Sequence, residues 1–202
     1  MTALFTIDQL LAQWDSGDGK PYKGQLIDWD AYRADPQNVG CMCAQGQVLS
    51  LIGGWTPNKL RATEQRDADK ATAKLLNIST AHAILLRSVN DKADGAPTIV
   101  LAHPEKVLGD QAPTLLAFWR HLDRMTGKQW DAAWDAAGAA AGGAAWAVAG
   151  AAAGAAAWAA QYAGSEIQGA RIMREKGQAF TFLLMFGFTD PEAVLAADQV
   201  AS

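Results

Sequence analysis

Residues 130–162 have the sequence WDAAWDAAGAAAGGAAWAVAGAAAGAAAWAAQY. Every fourth position is tryptophan, glycine or, at the end, tyrosine, and Trp134, Trp146 and Trp158 recur every twelve residues. Alanine fills most of the other positions, and alanine has the highest helix propensity of all residues. The repeat therefore predicts a helix within a mainly α protein, and it is the most specific pattern in the chain.

The spacing of the repeat determines where its large side chains point. Successive residues of a helix are rotated by about 100°, so a four-residue step overshoots one full turn by about 40°. A twelve-residue step advances by about 120°, so the three repeat tryptophans point in three directions. A helix with a single buried face would not show this pattern, whereas a helix surrounded by partners would.

Glycine interrupts the alanine of the repeat at Gly138, Gly142, Gly143, Gly150 and Gly154. Each glycine costs about 1 kcal/mol of helix stability relative to alanine, so a compensating interaction is expected. Close approach of another helix would supply it, because small residues let helix backbones come together. We therefore predict that the repeat binds a second copy of the chain or a host protein. The predicted binding residues are Trp134, Trp146, Trp158, Gly150 and Gly154.

Several interpretations of this segment stay open. It forms either one long helix or a helical hairpin broken at Gly142-Gly143, or it is an inert expansion of an alanine tract. Residues 136–165 carry no charge and are numerous enough to span a bilayer, which leaves a membrane-acting protein as an alternative. Alanine and glycine contribute little to membrane insertion, however, so a membrane span is disfavoured.

The sequence on either side of the repeat has the composition of a globular protein. We predict a helical globular body over residues 1–128, the repeat helix over 129–164, and an apolar segment over 165–202 that packs back on the body. Residues 98–101, Thr-Ile-Val-Leu, are the best candidate for a strand. Helices are predicted from apolar residues at helical spacing over residues 7–14, 28–34, 41–52, 61–76, 79–86 and 113–125.

Charge and cysteine content limit the class of function. The chain has 202 residues and a formal net charge of −4, without a run of lysine and arginine, so nucleic acid is not a predicted partner. The first residues lack the basic and apolar regions of a secretory signal. The two cysteines, Cys41 and Cys43, are one residue apart, and a disulfide across so short a loop would be strained. These features predict a cytoplasmic protein.

Cys41 and Cys43 are also weak candidates for nucleophilic chemistry. They lie at the start of a predicted helix, a position that lowers the pKa of a thiol. His82 and Asp91 follow in the chain and could act as the base and its orienting group in a cysteine hydrolase. Almost any chain of this length offers such residues, so we expect both cysteines to be structural and buried. The hydrolase stays open as an alternative function.

No metal site and no cofactor is predicted. Zinc sites normally space their cysteines two to four residues apart and need a second close pair, whereas one residue separates Cys41 from Cys43. The chain contains no phosphate-binding loop, dinucleotide fingerprint or nucleophile elbow. Sequestration of a small ligand in a tryptophan-lined pocket stays open as a further alternative.

Three parts of the chain resemble uncharacterised proteins of actinobacterial phages and prophages. They are GCMCAQGQVL at residues 40–49, VND at 89–91 with DGAP at 94–97, and the Trp/Ala repeat. The resemblance implies a phage or mobile-element accessory protein that works inside a bacterial host. No activity or site residue is established for that group, so none carries over to this chain. The leading prediction is a non-enzymatic interaction protein that self-associates or binds a host partner.

Overall fold

The computed structural model describes residues 4–92, 97–140, 183 and 186–201, and over these ranges the protein is mainly α-helical. Its helices are α1 (Ile7–Ser16), α2 (Trp29–Ala34), α3 (Ala44–Gln47), α4 (Pro57–Ala62), α5 (Gln65–Leu76), α6 (Thr80–Lys92), α7 (Thr98–Ala102), α8 (Glu105–Leu108), α9 (Ala112–Arg124), α10 (Gly127–Ala140) and α11 (Pro191–Ala201). The described ranges contain an isolated antiparallel bridge between Ile27 and Met42 but no β-strand. The predicted mainly α class is confirmed, while most of the predicted repeat helix lies outside the described residues.

Polar residues set the ends of the first helices. The Thr6 side chain accepts a hydrogen bond from the Gln9 N–H, and the Gln9 side chain accepts one from the Thr6 N–H. This reciprocal capping box satisfies two N–H groups that a helix start would otherwise leave unpaired. The Asp28 side chain caps α2 by accepting hydrogen bonds from the Asp30 and Ala31 N–H groups. Gly17 ends α1 with a φ of 83°, which glycine adopts without strain.

The chain divides into two compact units, Met1–Val107 and Leu108–Ser202. In the first unit, α5 packs against α6, and α3 contacts both of them. The core beneath these helices contains Leu26, Ile27, Cys41, Met42, Cys43, Leu49, Leu60 and Ala68. The predicted domain boundaries at 128/129 and 164/165 both fall inside the second unit.

Residues 98–101 are helical, so the predicted strand is wrong. They belong to α7, which contacts both α1 and α6. Val100 is fully buried, and its carbonyl oxygen lies 2.8 Å from Nε2 of His82 on α6. A short apolar run does not by itself distinguish a strand from a buried helical turn, and tertiary packing here selects the helix.

Two of the predicted helices are divided. The range 61–76 contains the end of α4 and all of α5, because the backbone is extended at Thr63 and the Thr63 hydroxyl donates to the Lys59 carbonyl oxygen at 2.7 Å. Such local hydrogen bonds compete with helix continuation. The range 41–52 contains the end of a 3₁₀ turn (Val39–Cys41), then α3, then a π-helical turn (Val48–Ile52).

Helix α3 lies against the backbone that precedes α2. The Cys43 N–H donates to the Leu26 carbonyl oxygen at 3.3 Å, and the Asp28 N–H donates to the Cys41 carbonyl oxygen at 2.7 Å. A Cβ atom at Gly46 would overlap the Leu26 carbonyl oxygen, so this approach requires glycine. The contact fixes the position of residues 41–43, which we call the cysteine segment, within the first unit.

In the second unit, α11 packs along α9. Helix α9 buries Leu115, Phe118, Trp119 and Leu122, in agreement with the amphipathic helix predicted over 113–125. Helix α11 buries Val194 and Asp198. The described part of the predicted apolar segment 165–202 therefore contacts a helix of the predicted body 1–128.

Candidate functional site

The Cys43 thiol lies at the start of α3, where its side chain takes the place of a capping residue. Its Sγ atom accepts a hydrogen bond from the Gly46 N–H at 3.4 Å. Cys41 and Cys43 are 2 % and 1 % exposed, and both are free thiols. The expectation that the cysteines are buried is therefore confirmed.

The surroundings of both thiols oppose ionisation. Burial raises the pKa of Cys43 from 9.0 to about 11, and hydrogen bonds from the backbone of Gly46 and Gln45 lower it by less. The negative charge of Asp91 adds to the increase. Burial also raises the pKa of Cys41, with further contributions from Asp28 and Asp35. A helix start favours a lower thiol pKa, and the backbone hydrogen bonds from Gly46 and Gln45 act in that direction, but desolvation outweighs them.

The two proposed partners of a catalytic cysteine have other roles in the described structure. His82 is buried on α6, and its Nε2 atom lies 2.8 Å from the Val100 carbonyl oxygen. Oδ1 of Asp91 accepts hydrogen bonds from the Gly24 N–H at 2.9 Å and from Asn90 Nδ2 at 3.1 Å. Asp91 therefore links the loop before α2 to α6. Its negative charge also raises the pKa of Cys43 and so disfavours the thiolate.

A buried polar network, which we call the Asp69 network, lies beside this segment. Gln45 is fully buried, and its Nε2 atom donates to Asp69 Oδ1 at 2.8 Å and to the Ala83 carbonyl oxygen at 3.0 Å. Gln65 donates to Gln45 Oε1 at 2.7 Å. Arg87 donates from Nε to Asp69 Oδ1 and from a terminal nitrogen to Asp69 Oδ2, both at 3.2 Å. The network links α3, α5 and α6 through paired groups, as buried polar atoms require.

Gln47 forms a second buried centre of hydrogen bonds. Its Oε1 atom accepts from the Trp14 indole N–H at 2.8 Å. Its Nε2 atom lies within hydrogen-bonding distance of three carbonyl oxygens, those of Gly19, Val39 and Met42, at 2.8, 3.1 and 3.3 Å. Gln47 thereby ties α1, the loop after it and the cysteine segment together.

Sequence reasoning missed both polar centres. A weak signal was present for the glutamines, because Gln45 and Gln47 stand among apolar residues of a predicted core helix. A polar residue on a buried face predicts a buried partner. The identity of that partner is not encoded locally, since Asp69 and Arg87 are 18 residues apart.

The predicted binding residues of the repeat are described only in part. Trp134 belongs to α10, but its side chain lies outside the described structure, as do Trp146, Trp158, Gly150 and Gly154. Trp130, the first residue of the four-residue spacing, meets Phe186 edge to face, with ring centroids 6.1 Å apart. Ala133 is buried, whereas Asp131 and Asp135 are exposed. The start of the repeat thus has one covered side and one solvated side.

The described residues include neither a metal site nor a membrane-spanning helix. They contain no group of three or more histidine, cysteine, aspartate or glutamate side chains that could hold a metal ion. None of the helices within these ranges is long and apolar enough to cross a membrane.

Comparisons with protein-family models, curated proteins and solved structures found no match to this chain.

Both cysteines are expected to react slowly with a thiol reagent in the folded protein. The thiolate is the reactive form, and a rise of two pKa units lowers its population near neutral pH by about 100-fold. The rate of labelling of Cys43, measured at pH 7.5 with and without denaturant, should therefore differ by at least about 100-fold. The variant Cys43→Ser keeps a capping hydroxyl and isolates the signal of Cys41. Rapid labelling of either thiol in the folded protein would favour the hydrolase alternative instead.

Proposed function

We propose that the protein is a non-enzymatic interaction protein that self-associates or binds a host protein through the repeat of residues 129–164. In this proposal it is a phage or mobile-element accessory protein that works in the cytoplasm of a bacterial host. The observation that carries the proposal is the four-residue spacing of tryptophan and glycine over residues 130–162. This spacing distributes bulky and small side chains around the whole circumference of the predicted helix.

The composition of the repeat supports an association role. Residues 136–165 are uncharged, and a lone helix of this composition would leave a large apolar surface in contact with water, which monomeric proteins rarely tolerate. In α10, Trp130 and Ala133 face the chain's own second unit. In a continuous helix, Trp146 would be rotated by about 160° from Trp130. In this proposal a partner on the opposite face covers Trp146.

The chemistry of the cysteine segment supports a non-enzymatic role. A cysteine nucleophile needs a reachable thiolate and an activating base. Cys43 is 1 % exposed with a pKa of about 11, and the neighbouring Asp91 acts against ionisation. These features are those of a structural thiol.

Gly150→Leu is expected to weaken the association. A leucine side chain at this position would hold neighbouring helices apart, at an overpacking cost of about 1–3 kcal/mol, which corresponds to a weakening of roughly 5- to 150-fold. Light-scattering mass over a dilution series would measure the change for the protein alone, and again with a candidate host partner.

Two control variants separate helix contact from other effects. Gly150→Ala raises helix propensity without much bulk, and it should preserve the association. Ala152→Leu adds a leucine about 200° around the predicted helix from Gly150. It points away from Trp146 and Gly154, the Trp/Gly positions on either side of Gly150, and it should weaken the association less. A wild-type monomer that binds nothing and is unchanged by Gly150→Leu would establish that the repeat is an inert spacer.

A further inference from the structure

Two cations of the first unit lie over tryptophan rings instead of beside carboxylates. Nζ of Lys59, on α4, is 3.7 Å from the centroid of the Trp55 ring, and Cζ of Arg61 is 4.7 Å from that of the Trp29 ring. Both cations are exposed, and both tryptophans are half-buried against the core. Within the parts of the chain that the structure describes, neither Lys59 nor Arg61 forms an ion pair. We call these four residues the α4 cation patch.

The patch keeps its hydrogen-bond donors available. The guanidinium group of Arg61 carries its N–H donors in a planar fork that matches a carboxylate, and attraction to the Trp29 ring uses none of these donors. The exposed carboxylate next to Trp29, that of Asp30, is already paired with Arg33. Because the rings hold both cations in place, less side-chain entropy would be lost when a carboxylate binds. The patch is therefore prepared to bind a pair of carboxylates.

The composition of the patch favours a protein partner. Tryptophan and arginine are enriched among the residues that dominate binding energy at protein interfaces. A site for single-stranded nucleic acid combines a groove of many cations with open aromatic faces on which bases stack. Here Lys59 and Arg61 already lie over the tryptophan faces. The expected occupant is therefore an acidic surface of a protein.

A matching pair of carboxylates lies at the start of the repeat. Asp131 and Asp135 are exposed on α10, one helical turn apart and therefore on one face. Each is about 160° around the helix from Ala133, which is buried, and neither pairs with a cation among the described residues. In a continuous helix, Trp146 would lie within about 60° of both. The acidic pair thus begins the face that the proposed function assigns to a partner.

We propose that this partner is a second copy of the chain, and that Asp131 and Asp135 of one copy bind Arg61 and Lys59 in the α4 cation patch of the other. The contact rests on the proposed function and gives its self-association a defined surface. Two copies related by twofold symmetry would form the contact twice, since each supplies one cation patch and one acidic pair. The carboxylates gain charge-assisted hydrogen bonds, which Arg61 can donate in bidentate geometry.

Charge reversal on each side tests the contact, with light-scattering mass measured over a dilution series at physiological ionic strength. Lys59→Glu/Arg61→Glu reverses the cation patch, and Asp131→Lys/Asp135→Lys reverses the acidic pair. Each double variant of the full chain should weaken the association by at least about tenfold, because like charges then face each other. An equal mixture of the two variants should regain the wild-type association. In the mixture, each reversed patch meets a reversed acidic pair on another molecule.

A matched variant controls for net charge. Lys74→Glu/Lys106→Glu makes the same change in net charge at two exposed lysines of α5 and α8. It should alter the association by less than about twofold, because solvent and salt screen charges outside the contact. Circular dichroism and hydrogen exchange of residues 65–92 check the fold of Lys59→Glu/Arg61→Glu. Should that variant unfold, Lys59→Gln/Arg61→Gln takes its place and should weaken the association by a smaller factor.

The outcomes separate this contact from the proposed function as a whole. An association that Gly150→Leu weakens but that both charge reversals leave unchanged would overturn the contact and leave the proposed function in place. Failure of the mixture to associate would overturn it as well, since a contact between two molecules must be restored by mixing. A wild type that stays monomeric would also overturn it, and the proposed function would then depend on a host partner.

Discussion

Gly46→Ala is expected to destabilise the first unit by about 3 kcal/mol, the upper end of the usual overpacking range. The added Cβ would overlap the carbonyl oxygen of Leu26 and approach the carbonyl carbon at 3.0 Å. Both are backbone atoms, and this backbone is held by the hydrogen bond from the Cys43 N–H. A flexible side chain could rotate away, but here α3 or the Leu26 segment must move. Urea unfolding followed by circular dichroism would measure the loss.

The matched control for this substitution is Gly127→Ala. Gly127 is the first residue of α10, and a Cβ there would meet nothing within 4 Å. The same chemical change should leave stability unaltered or raise it by up to about 1 kcal/mol through helix propensity. Hydrogen exchange of residues 65–92 would locate the effect of Gly46→Ala in the first unit. Equal stability of the two alanine variants would mean that α3 does not approach Leu26 as described.

Asp69→Asn is expected to cost about 3 kcal/mol, close to the lower end for breaking a buried ion pair. The amide keeps the shape of the carboxylate but carries no charge, so Arg87 loses its counter-charge. One acceptor oxygen is also replaced by an NH₂ group, and that group then faces the N–H donors of either Arg87 or Gln45. The Asp69 side chain is 6 % exposed, whereas that of Arg87 is 27 % exposed. Water can therefore hydrate Arg87 in part, which keeps the cost from being larger.

The exposed pair of Asp30 and Arg33 provides the comparison. Their side chains are 86 % and 65 % exposed, and exposed ion pairs contribute about 0–1 kcal/mol. Asp30→Asn should therefore change the free energy of unfolding by less than about 1 kcal/mol in the same urea experiment. A cost for Asp69→Asn no greater than that for Asp30→Asn would show that the Asp69 network does not stabilise the core.

Local patterns predicted the elements whose signals are contained within one or two turns. The buried face of α9 follows from its own periodicity. The burial of Cys41 and Cys43 is consistent with the apolar residues Val48, Leu49 and Ile52 that follow them in the same predicted helix. Each of these features depends on neighbours in sequence, so one chain is enough to infer it.

The features that sequence reasoning missed depend on residues far apart in the chain. Thr98–Ala102 is a helix because it packs on α1 and α6, and no residue within it encodes that contact. Gln45 is buried because Asp69 and the Ala83 carbonyl satisfy its amide. The high pKa of Cys43 likewise reflects how the first unit encloses the start of α3. A helix N-terminus lowers the pKa of an accessible thiol, but burial in apolar surroundings raises the pKa of an enclosed one.

The enclosure of both native thiols has a practical consequence for spectroscopy. Cys41 and Cys43 are the two cysteines of the chain, and each is buried. A cysteine introduced at an exposed position such as Asp131 should therefore be the fast-reacting thiol of the folded protein. A nitroxide attached through Asp131→Cys could then be placed selectively without removing the native residues. Double electron–electron resonance would then measure the distance between the labels on two copies of the chain in any assembly that the repeat forms.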